Sequence, residues 1–291
     1  MHRIDTSTAQ VDKFGAGKNG FTGGNPQTGE LPTALDADYF DSLQEELAGV
    51  IEAAGITLKK DSNAQLLAAM RALFTGRQIG APIVLTSTST YTPSSSLVKY
   101  VEVEIYAAGG GGAGVPAYTS STAAIGGGAS GGTWALVRIP VSLLSSPTAV
   151  TIGVAGTPGA SGGGTGGTGG VSSFGSLISC PGGLGSGYST TTGTVNAGGA
   201  NSPAAATISA SVQTIATSRG APGSPGYVVA TGSAAPGIGA SSPKGSGGDG
   251  VSGSASGYGA GGAGARAISG DTTAKAGGAG SPGVCIIREF A

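Results

Sequence analysis

The chain has 291 residues, of which 10% are charged, and a formal net charge of −1. That balance lacks the basic footprint of a nucleic-acid or anionic-membrane binder, and no run of about 18 apolar residues suggests insertion into a membrane. Glycine supplies 59 residues, mostly after residue 108; it orders at the largest backbone entropy cost and has no side chain to bury, so only close backbone packing can compensate.

About half of the Lys and Arg and two-thirds of the Asp and Glu fall within the first 77 residues, which predicts two differently built parts. The opening Met1-His-Arg-Ile-Asp5 leads into polar residues without an apolar leader, so synthesis in a cytoplasm is expected. Residues 1–35 are polar and turn-rich and have no core of their own. They read as an extended arm ordered on another protein, with Phe14 and Phe21 as anchors.

Residues 36–78 read as a helical hairpin. Asp36 or Asp38 caps a first helix that ends before Gly55, and Phe40, Leu43, Leu47, Val50 and Ile51 recur at three- and four-residue steps on one apolar stripe. A second helix, from about 62 to 74, carries Leu66 and Met70, with Asp61 to Asn63 as capping candidates. So small a pair buries too little to stand alone, which predicts a trimeric or dimeric oligomerising collar.

Residues 79–96 read as a linker or a short strand pair, and residues 97–291 as one glycine-rich β domain. Val101, Val103 and Ile105 alternate inward against Glu102 and Glu104, which predicts a half-buried strand. Further strands are expected near 133–139, 148–155 and 171–179, then a tract over 181–282 with almost no strand pattern except Ile208 to Ala216, and a closing strand over 283–290. Trp134 is expected in the core, sharing a face with Leu136. The glycine register breaks repeatedly, which excludes a collagen helix, whereas polyproline-II-like glycine strands packed side by side remain open. The fold class expected is therefore α+β, an arm and helical collar followed by an antiparallel β framework.

His2 is the only histidine, so a Ser-His-Asp triad and a histidine metal cluster are not expected, and neither is any cofactor. Glu102 and Glu104 share a strand face, where a solvated face is preferred to a hydrolytic pair. Lys244-Gly-Ser-Gly-Gly-Asp-Gly250 lacks the strand and helix of a phosphate loop. Cys180 and Cys285 have neither metal nor redox spacing; Cys285 reads as a buried thiol, with a disulfide to Cys180 open in principle. No enzymatic role is expected. Tyr118, Tyr188, Tyr227 and Tyr258, set among glycines, are the candidates for ligand contact, because tyrosine offers rigid amphipathic area at low entropy cost.

The stretches Arg3-Ile-Asp-Thr6, Val11-Asp-Lys-Phe-Gly15, Lys18-Asn-Gly-Phe21, Asn25-Pro-Gln-Thr-Gly29 and Ala37-Asp-Tyr-Phe40 resemble the N-terminal segment of tail fibre proteins from tailed bacteriophages and prophages. Val101 to Gly112, Gly169 to Gly175, Pro181 to Gly183 and Gly277 to Val284 resemble the glycine-rich domain at the distal end of such fibres. The resemblance implies a virion tail component, usually trimeric. Its N-terminus would dock on tail or baseplate proteins and its C-terminal domain would bind a host surface receptor, whether glycan, pilus or outer-membrane protein. The absence of a shaft favours a stubby fibre near the baseplate. The alternative is a purely structural baseplate part without receptor contact.

Overall fold

A computed structural model describes residues 2–74, 76–118 and 121–291. The chain divides into two compact units, residues 1–77 and 78–291.

In the first unit, helix α1 spans Ala37–Ala53 and α2 spans Gln65–Leu73. The Asp36 side chain accepts from the Asp38 N–H at the start of α1. At its end Gly55, with φ +72°, lets Ile56 N–H reach Ile51 C=O and its own N–H reach Glu52 C=O, the pairing that a left-handed residue after a helix permits. The expected cap of α2 is not there. Ala64 takes the N-cap position without a side-chain bond, and Gln65 instead holds the incoming chain, accepting from Lys59 N–H and donating to Lys59 C=O. Residues 2–35 turn back on themselves rather than run extended, with bridges Gln10 to Gly20 and Asn25 to Glu30, and Ile4 is buried.

The second unit begins as a sandwich of two antiparallel sheets. One has the order β1 (Gln78–Leu85), β16 (Val284–Phe290), β3 (Tyr100–Tyr106), β5 (Trp134–Pro140), β12 (Gln213–Ser218). The other has the order β11 (Thr207–Ile208), β8 (Ile178–Cys180), β7 (Ser172–Phe174), β6 (Thr148–Thr151), β2 (Ser89–Tyr91). Residues 79–96 thus supply strands to both sheets. Val101, Val103 and Ile105 meet Val137, Ile139, Ile287, Phe174 and Ile178 between the sheets, as the alternation predicts. Trp134 corrects the expectation: Ala135, Val137 and Ile139 are the inward residues of β5, so Trp134 and Leu136 lie on the outer face, where Trp134 stacks on Tyr106 at 5.6 Å. Cys180 and Cys285 are both buried and free, and burial pushes the Cys180 thiol up to about 12.

Beyond β3, β5 and β16 the strands run on into glycine-rich segments whose partners change every residue. In 107–115 the N–H groups of Ala108, Gly111 and Gly114 donate to Gly170, Gly167 and Gly164, and those of Gly109, Gly112 and Val115 donate to Ser281, Gly278 and Lys275. Ala107 and Gly110 donate to Thr133 and Ser130. The carbonyls alternate likewise: Gly109, Gly112 and Val115 accept from Gly156, Gly159 and Gly162, Ala108 and Gly111 from Gly183 and Ser186, and Gly110 and Ala113 from Gly262 and Ala265. The partners recur with a period of three, and the segment is enclosed by chain on every side. Segments 126–133 and 259–265 are enclosed in the same way and bond to 107–115 and to each other. At most of the glycines in these segments the spacing leaves no room for a side chain. A Cβ on Gly109 would lie 1.9 Å from Ala260 C=O, and one on Gly112 would lie 1.9 Å from Ala263 C=O.

At the end of these segments remote from the sandwich lie two three-stranded sheets, whose strands, Ala123–Gly126 apart, fall in the tract whose sequence shows almost no strand pattern. Their orders are β10 (Val195–Ala197), β13 (Gly226–Ala230), β14 (Ser233–Ala235) and β15 (Arg266–Ala267), β4 (Ala123–Gly126), β9 (Tyr188–Thr191).

Candidate functional site

Three of the four tyrosines belong to this remote end. Tyr118 is half-buried against Val115, Ala124, Ala265 and Ala267, and its N–H donates to Asp271 C=O. Tyr188 opens β9 opposite Gly126 and is 37% exposed; its hydroxyl lies over the turn at Gly163, where a Cβ would come within 2.6 Å of it. Tyr227, on β13, is 49% exposed. Tyr258 departs from the group. Its N–H donates to Lys244 C=O, and the neighbouring Gly259 bonds to Pro282 and Gly132, just before β16 and β5, so this tyrosine sits at the sandwich end. No pattern in the sequence separates it from the others, because the separation depends on which glycine segments pair.

The remote surface carries few charges. Lys275 Nζ meets Asp271 at 2.9 Å, and that hydrogen bond, together with the Ile268 N–H, holds the Asp271 carboxyl below its ordinary value. Charge is concentrated instead on the outer face of the first sheet. Arg138 bonds Glu102 at 2.8 Å and stands over the Tyr100 ring, which stacks on Phe290; Glu104 receives Arg288 at 3.1 Å and Lys244 at 3.4 Å. Burial would raise the Glu104 carboxyl, but hydrogen bonds from Tyr106, Arg288 and Lys244 bring it below its ordinary value. Glu102 and Glu104 are therefore paired with cations rather than simply solvated, and each is engaged away from the other.

Within the first unit, Phe21 stacks edge-on against Tyr39 at 5.3 Å, and Phe14 and Phe21 line one hollow with Ile4 and Tyr39. Both remain exposed. Of the stripe, Leu43, Val50, Ile51 and Leu66 are half-buried in the hairpin, whereas Phe40, Leu47 and Met70 are exposed; α1 buries none of its residues. His2 is not isolated, as the sequence suggests, but joins Asp5 and Asp36 with ligand atoms within 4.8 Å of one another. Two of the three are exposed carboxylate and imidazole groups of a kind that also gather without an ion, and no metal role is drawn from them.

The sequence family described as a glycine-rich domain matches residues 84–289, the greater part of the chain. The chain belongs to that family. The matched span runs from β1 to β16, so the family's glycine-rich domain and the second unit very nearly coincide. A stretch of 78 residues is 67% identical to a protein of Escherichia coli (strain K12) named "Uncharacterized protein StfP". That stretch is 27% of this chain and 37% of the relative, so the match spans little more than a third of the relative's length. Among the described residues, no helix is long and apolar enough to cross a membrane.

Proposed function

We propose that the chain is a tail fibre or baseplate adhesin of a tailed bacteriophage or prophage. Residues 1–78 attach to virion proteins and trimerise, and the glycine-rich domain recognises a host surface receptor without enzymatic chemistry. The observation that carries this reading is the end of the glycine-rich domain remote from the sandwich. A backbone-bonded array raises small sheets bearing Tyr188 and Tyr227 toward solvent, and a rigid scaffold presenting exposed aromatics suits recognition. The partner alternation with a period of three supports reading the glycine segments as polyproline-II-like strands, since that helix has three residues per turn and no internal hydrogen bonds. The apolar stripe left open on α1 and α2 supports a homotrimer: Phe40, Leu47 and Met70 on one copy would be covered by the other copies. Likeness to the relative named StfP supports the tail assignment. In the virion, the exposed Phe14 and Phe21 would meet the docking protein.

Antibodies raised against the glycine-rich domain test the reading on induced phage particles. The expected result is gold label at the tail extremity, together with loss of adsorption when antibody is added before cells. Particles that contain the chain, carry the label, and adsorb at an unchanged rate would instead indicate a structural part.

A further inference from the structure

We propose that the outer face of the small sheet β10–β13–β14, centred on Tyr227, is a binding platform for an uncharged sugar; this rests on the host-recognition reading above and names the ligand class. The register places Asn196 and Ala235 directly opposite Tyr227 on either side. Residues opposite each other on one face of a sheet have Cβ atoms about 5 Å apart, so both border the tyrosine ring. The inner face is committed to packing: Val228 and Ala197 are buried against Ala123 and Ile125. That fixes Tyr227 outward and makes the strand beneath it rigid. Ala235 is too small to cover the ring, so one aromatic face stays open to solvent.

The chemistry of the row selects the ligand. An aromatic face offers an apolar plane for the C–H side of a sugar ring, and an asparagine amide beside it supplies both a donor and an acceptor, as neighbouring hydroxyls require. Apart from the Tyr227 phenol, strands β10, β13 and β14 contain no ionisable side chain, and the one guanidinium that reaches them, Arg266, is engaged by the Ala234 C=O at 2.6 Å, so the outer face is not built around a cation as a phosphate, a carboxylate or a nucleic-acid backbone would require. The platform is also small. Its outer strands stand about 10 Å apart and its strands are only 3 to 5 residues long, a face of roughly 150 Å², far short of the roughly 800 Å² per partner of a standard protein interface but enough for a terminal sugar and its neighbour. Val229, at the bulge that follows Val228 in the same strand, is also exposed.

The test uses the full-length protein on an array of neutral hexose and N-acetylhexosamine oligosaccharides, and in parallel on intact Escherichia coli cells with and without mild periodate oxidation of surface sugars. The proposal expects saturable binding to at least one neutral oligosaccharide. Tyr227→Ala and Ala235→Leu should each weaken it roughly tenfold, the loss of about one aromatic contact, while Tyr227→Phe retains it. Both positions face solvent, and an unchanged thermal transition for each of the three variants confirms folding. Binding to no neutral sugar, or binding indifferent to Tyr227→Ala, overturns the proposal. So does a change in oligomeric mass on Tyr227→Ala, which would make the face a contact between copies. Cell binding that survives both periodate and Tyr227→Ala overturns the sugar platform but leaves host recognition standing, whereas a folded wild-type protein that binds neither the oligosaccharides nor untreated cells removes both.

Discussion

Replacing Gly112 by alanine tests whether backbone contact holds the glycine-rich domain together. The added Cβ would stand 1.9 Å from Ala263 O, 2.3 Å from Ala263 C and 2.9 Å from Gly264 N, all of them backbone atoms that no rotamer change can move aside. Ordinary contact would require the two segments to part by about 1.5 Å, in an interior packed as densely as an organic crystal. Separation on that scale breaks the bonds from Gly262 N–H to Gly110 C=O and from Ala265 N–H to Ala113 C=O, at 2.9 and 2.8 Å. Losing each bond costs about 1 kcal/mol where its groups find new partners and up to about 3 kcal/mol where they are left buried without one. The expected loss is therefore roughly 4 kcal/mol, a large part of the ~5–15 kcal/mol that holds a typical domain. Gly187→Ala and Gly232→Ala are the controls, because a Cβ at either position meets nothing within 4 Å; they should lie within about 0.5 kcal/mol of wild type. Urea unfolding followed by fluorescence of Trp134, the only tryptophan, reports this unit. A Gly112→Ala midpoint equal to that of wild type would refute the reasoning.

Glu289 is 4% exposed and accepts hydrogen bonds from Tyr91 Oη at 2.6 Å, from Ser94 N–H at 2.8 Å and from the Ser94 hydroxyl. Burial pushes its carboxyl up, but the bonds from Ser94 and Tyr91 outweigh this and hold it below the ordinary value. The corresponding stability is present above the unfolded pKa and lost as pH falls through the folded one, so acid titration of the unfolding midpoint should show a decline that Glu289→Gln lacks. That variant should also cost about 2–4 kcal/mol at pH 7. Both cysteines should resist a thiol reagent at pH 8 in the native protein and react fully in guanidinium; rapid native labelling would contradict their burial. Leu47→Lys with Met70→Lys should reduce the mass measured by light scattering while leaving the glycine-rich domain's unfolding midpoint unchanged, and an unaltered oligomer would remove the stripe from the interface.

What the sequence reveals follows where side chains carry the signal. The β3 alternation and the two ends of α1 are legible because apolar period and cap chemistry are local. Trp134 misleads because a tryptophan at a strand start reads as core, whereas the hydrophobic register of β5 begins at Ala135. The pairing of Gly112 with Gly278 and Gly159 leaves no trace in the sequence, since backbone groups are identical at every glycine and the partners lie far along the chain. The same loss hides the small sheets from β9 to β15, and with them the difference between Tyr227 and Tyr258.

Host recognition is tested most directly by adding purified full-length protein to cells before phage. The account predicts saturable binding that blocks adsorption in proportion to occupancy. A folded oligomer that neither binds cells nor competes with phage would contradict it.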